Sequence, residues 1–81
     1  MKKSITISEH ARKRMKKYGL RESMVLEALI KPDKVTRGHH ERKIAHRFMN
    51  SYVLRVIYEE NDLVTVITVY PSRRERSAET V

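Results

Sequence analysis

The sequence predicts an α+β domain in which two N-terminal helices pack on one face of a twisted, mostly antiparallel sheet of three to four strands. Three observations predict it. Residues 9–31 carry apolar side chains at helical spacing, punctuated by Gly19 and ended by Pro32. Residues 43–70 are rich in Val, Ile, Thr and Tyr, with two polar breaks. And 81 residues suffice for one layer of helix on one sheet, with no room for a cofactor domain.

Each element has a local cause. Ser4 to Ile7 alternates polar and apolar like a short strand, and Ser8 then offers a hydroxyl to the free amides of a helix over Glu9 to Tyr18. In that helix Ala11, Met15 and Tyr18 make a narrow apolar stripe, and Gly19 supplies the left-handed stop. A second helix from Glu22 to Lys31 has a broader face of Met24, Val25, Ala28 and Leu29. Leu20 and Val25 are spaced as a hydrophobic staple, although Arg21 is a poor cap. A short strand around Val35 then gives way to a turn at Gly38.

The remainder reads as a meander of Lys43 to Met49, Tyr52 to Tyr58 and Leu63 to Tyr70. Asn50-Ser51 makes a two-residue turn, Glu59 to Asp62 a four-residue one, and Pro71 closes the last strand. Residues 1–71 then form one domain and 72–81 a polar tail. These turns place His46 opposite Arg55, and Arg55 opposite Val66. Ala45, Arg47, Met49, Tyr52, Leu54, Val56, Tyr58, Leu63, Thr65, Ile67 and Val69 would share the face under the helices. Ile44, His46, Phe48, Val53, Arg55, Ile57, Val64, Val66, Thr68 and Tyr70 would share the other.

Composition excludes several classes of function. Without cysteine there is no disulfide, zinc-thiolate site or thiol chemistry, which suits a cytoplasmic protein. No apolar run approaches the roughly 20 residues that span a bilayer. A formal net charge of +8 points instead to a polyanion, and nucleic acid is the most abundant one. The stretch ISEHARKRMKKYG presents Arg12, Lys13, Arg14, Lys16 and Lys17 as a binding surface for it. Its apolar stripe is too narrow for a membrane-surface helix.

The segments EHARKRMKKYGLRESMVLEALIKPDKV and YVLRVIYEENDLVTVITVYPS resemble a family of small prokaryotic domains of unknown function grouped with the RelE-like toxins. The similarity runs over roughly residues 6 to 71. It lies in the His-Ala at the first helix, the glycine some nine residues on, Pro-Asp-Lys-Val after the second helix, and Val-Ile-Thr-Val-Tyr in the last strand. The resemblance implies helices on one face of a twisted antiparallel sheet, and cleavage of RNA without metal through the RNA's own 2′-hydroxyl. It matches His10 to the family's helix-start histidine and Thr68 and Tyr70 to its last-strand motif. Arg42 or Arg47 stands where relatives place a basic residue.

Such cleavage needs a base, an acid and cations facing the phosphate oxygens. Of the four histidines, His10 and His46 are the candidates, whereas His39 and His40 beside Gly38 read as loop residues. Arg55 supplies a bidentate oxygen contact, and Tyr70 a phenol that donates a proton or stacks on a base. The catalytic set is therefore His10, His46, Arg55 and Tyr70, with Arg42 and Arg47 joining the basic helix in binding. Adjacent histidines point apart and no carboxylate completes a set with His46, so neither metal nor cofactor is expected. The function this supports is a metal-independent ribonuclease-like toxin acting on RNA, free or as mRNA on the ribosome, and held by an acidic antitoxin. The alternative is a non-catalytic module that binds nucleic acid or protein through the same basic helix.

Overall fold

The computed structural model describes residues 3–73. Its element order is β1 (Ile5–Ile7), α1 (Glu9–Tyr18), α2 (Glu22–Ile30), β2 (Lys34–Arg37), β3 (Lys43–Phe48), β4 (Tyr52–Glu60) and β5 (Val64–Arg73). The architecture is α+β, but the sheet corrects the expectation of three to four strands. Five strands run in the order β1-β5-β4-β3-β2, and the sheet is mixed because β1 pairs parallel to β5.

Local chemistry explains the helix ends. Ser8 Oγ accepts the amide of Ala11 at 3.1 Å and donates to the carbonyl of Ile67 at 3.0 Å, so one hydroxyl caps α1 and ties it to β5. At the other end Gly19 has φ of 67°, and the Leu20 N–H donates a hydrogen bond to the Met15 carbonyl at 2.8 Å. At α2 the Arg21 amide donates to Met24 Sδ at 3.5 Å, a weak substitute for the oxygen of a good cap. The far end of α2 is held by Arg47, whose Nη1 donates to the Lys31 carbonyl at 2.7 Å and whose Nη2 lies 3.7 Å from Glu27.

Both helices lie on one face. Ala11 and Met15 of α1, with Val25, Ala28 and Leu29 of α2, join Ala45, Leu54, Val56, Tyr58, Val64, Val66 and Val69 in a single core. No described element packs on the opposite face.

The first hairpin has the expected register, with His46 opposite Arg55. The second does not. β4 continues through Glu59 and Glu60, which the sequence suggests as turn, and Glu60 sits opposite Val64. Lys3 and Lys43 each lie 3.3 Å from the Glu60 carboxylate and neutralise it there. Between Ile57/Thr68 and Tyr58/Val66 the register shifts, leaving Ile67 as the extra residue of a β-bulge. The bulge turns Val64 and Val66 into the core, so both leave the open face to which simple alternation assigns them. It also puts Arg55 opposite Tyr70 instead of Val66. Pro71 does not end the last strand. It pairs with Leu54 inside β5, where β1 no longer covers the outer edge and a missing amide donor is tolerated. Of the polar tail expected over 72–81, Ser72 and Arg73 belong to β5 and residues 74–81 lie outside the described residues.

Candidate functional site on the open sheet face

Strand registers assemble one polar row across the open face. Lys34 of β2 opposes His46 of β3, His46 opposes Arg55 of β4, and Arg55 opposes Tyr70 of β5. Directly opposed side chains have Cβ atoms about 5 Å apart, so the order along the row is ammonium, imidazole, guanidinium, phenol. Apolar side chains flank it: Ile44 and Ile57 on one side, Phe48 and Val53 on the other. These partly buried rows reduce the solvent around His46 and Arg55 and so strengthen their fields.

His46 is 8% exposed, and its Nε2 lies 2.9 Å from Thr36 Oγ1. Burial, then the charges of Arg55 and Lys34, lower its pKa below the ordinary 6.5. The imidazole is thus a neutral base at pH 7. Arg55 is half-buried, and its Nε is shielded from solvent with no hydrogen-bond partner among the described residues. A guanidinium nitrogen in that condition is costly unless an anion satisfies it. Thr68, next to Ile57, and Tyr70 lie along β5 on the same open face.

Of the four residues expected to carry chemistry, the fold brings together His46, Arg55 and Tyr70. His10 is separate. It is exposed in the first turn of α1, in the helix layer on the other side of the sheet. Arg42 and Arg47 are engaged elsewhere: Arg42 Nε donates to Glu59 at 3.0 Å, and Arg47 closes α2. Lys34 and Thr36 are members of the site that sequence reasoning passes over. The signal for them is the pairing of β2 with β3, which local pattern does not specify. His39 and His40 form the β2–β3 loop, where Arg42 donates its amide to the His39 carbonyl at 3.1 Å. His40 and Glu41 between them have φ of 58° and 62°. Among the described residues, no group of three or more His, Asp or Glu side chains is placed to hold a metal ion, and no helix is long and apolar enough to cross a membrane.

A half-covered five-stranded sheet with this row defines a small basic α+β domain with a polar site on its bare face. The chain belongs to the family described as Domain of unknown function (DUF4258), whose model matches residues 7–71. That span includes all four members of the row. No curated protein and no solved structure matches the chain.

Proposed function

We propose that this domain binds RNA on the open sheet face and cuts it as a metal-independent ribonuclease, the toxin of a toxin–antitoxin pair in the RelE-like superfamily, acting in the cytoplasm. The observation that carries the reading is the order of the row, in which a cation stands between a base and an acid. A phosphate seated on the Arg55 guanidinium has His46 on one side and Tyr70 on the other. In the tautomer that donates Nε2–H to Thr36, Nδ1 of His46 is free to take the proton of the 2′-hydroxyl. The 2′-oxygen bonds to phosphorus, the bond to the 5′-oxygen breaks, and Tyr70 protonates the leaving oxygen. The products are a 2′,3′-cyclic phosphate and a 5′-hydroxyl. Arg55, with Lys34 beyond His46, opposes the charge gathered on the phosphate oxygens. An acidic antitoxin covering the basic surfaces is the expected natural partner.

Cleavage of labelled single-stranded RNA in EDTA tests this. His46→Gln and Arg55→Gln are expected to keep the circular dichroism of the parent and lose about 10²-fold or more in rate, the size of one positioned proton-transfer group. Rates unchanged in both variants would remove the row from the reaction. The burial of His46 and its bond to Thr36 also suit a structural histidine, and so favour a second reading as a non-catalytic binding module. That reading expects binding by the parent and cleavage by neither parent nor variants.

A further inference from the structure

Helix α1 carries a second basic surface, which the sheet separates from the row. His10, Lys13, Arg14, Lys17 and Tyr18 are spaced at i, i+3, i+4, i+7 and i+8 and therefore line one strip of the helix. From His10 to Tyr18 the strip is about 12 Å long. No carboxylate is paired with any of them among the described residues, whereas Arg12, on another side of the helix, pairs with Glu22 at 3.4 Å. Tyr18, 37% exposed, gathers two cations: the Arg14 guanidinium carbon lies 5.4 Å and Lys17 Nζ 5.3 Å from its ring centre. Arg14 Nε is buried without a partner. The described residues contain two such orphaned atoms, on Arg14 and Arg55, one on each surface.

Like charges held side by side against an exposed aromatic ring, with no carboxylate to balance them, fit a polyanion that also has flat rings to stack. We propose that the strip His10–Lys13–Arg14–Lys17–Tyr18 is a separate binding site for single-stranded RNA, so that the domain holds RNA on both faces. Lys13, Arg14 and Lys17 take consecutive phosphates, and Tyr18 supports a base at the end of the strip. His10 then belongs to this binding strip and has no part in proton transfer on the sheet. The inference rests on the RNA-binding reading above for the nature of the ligand, and on no cleavage step.

The test is fluorescence anisotropy of a labelled single-stranded oligoribonucleotide with the full chain in EDTA, titrated across salt. Lys13→Glu/Lys17→Glu is expected to weaken binding at least about 10-fold and to lower the salt slope by about 1.4, at roughly 0.7 per phosphate. It does so equally in the parent and in an Arg55→Gln background. Lys16→Glu/Lys31→Glu changes net charge by the same amount on other surfaces and costs less than about 3-fold. Tyr18→Leu costs at least about 5-fold, the low end for a lost stacking platform. Should the glutamate pair unfold the chain, Lys13→Gln/Lys17→Gln gives the same ordering at smaller amplitude. Equal losses from the two lysine pairs, or none from the first, overturn the strip. So does displacement of the RNA by polyglutamate at equal charge, which makes the occupant an acidic protein. Intact binding with no cleavage leaves the strip standing and removes only the ribonuclease.

Discussion

His46 shows how a single side chain acquires a role from its setting. Unfolded, it takes up a proton near pH 6.5; folded, burial and the charges of Arg55 and Lys34 hold its pKa lower. Between those two values the unfolded chain binds more protons, so this contribution to stability is complete above pH 6.5 and falls as pH drops through the window. Urea midpoints of the parent and His46→Gln, compared at pH 7.5 and 5, should converge at the acid end. A constant difference would mean that His46 titrates normally. Glu41 makes a simpler prediction. At φ of 62° it carries a left-handed strain that glycine does not, so Glu41→Gly should raise stability by about 0.5–1 kcal/mol in the same experiment. The chemical types in the row are legible in the sequence as His46, Arg55 and Tyr70. The lowered pKa of His46 and the orphaned Nε of Arg55 are not, because they depend on burial and on neighbours that only strand pairing supplies.

At the scale of elements, legibility follows the range of the interactions. Helix α1 is written locally, in the Ser8 cap, the Ala11 and Met15 stripe and the Gly19 stop, and its ends are as the sequence predicts. The β3–β4 register follows from a two-residue turn. The β4–β5 register does not, because it needs Lys3 and Lys43 to bring Glu60 into a strand and a bulge at Ile67 to turn Val64 and Val66 inward. Nothing within residues 59–67 announces either event. Two side chains carry these long-range ties. Ser8→Ala removes both the α1 cap and a bond to the bulge, and should cost about 1–2 kcal/mol. Arg47→Ala frees the end of α2 and should cost about 1 kcal/mol, while leaving RNA affinity nearly unchanged because Arg47 is engaged beneath the sheet. Chemical denaturation and the anisotropy titration check the two outcomes.

The whole molecule turns a lopsided charge into two surfaces. A net charge of +8 is plain in the sequence, and it suggests one polyanion lying along the basic helix and reaching a histidine. The layering divides that picture, with His10 on the helix side and His46 on the bare side of the sheet. Holding the layers together is a core centred on Leu54, Val56 and Val66, all fully buried. Leu54→Ala should cost about 2–5 kcal/mol, read from the denaturation midpoint, and should weaken both surfaces together only where it unfolds the chain. The measurement that tests the central claim most directly is end analysis of single-stranded RNA incubated with the purified protein in EDTA, alone and with ribosomes. The row predicts fragments ending in a 2′,3′-cyclic phosphate, absent when the RNA carries 2′-deoxy sugars and reduced about 10²-fold or more by His46→Gln. Intact RNA in both settings, from a folded protein that binds it, would contradict the claim and leave a two-faced RNA-binding module.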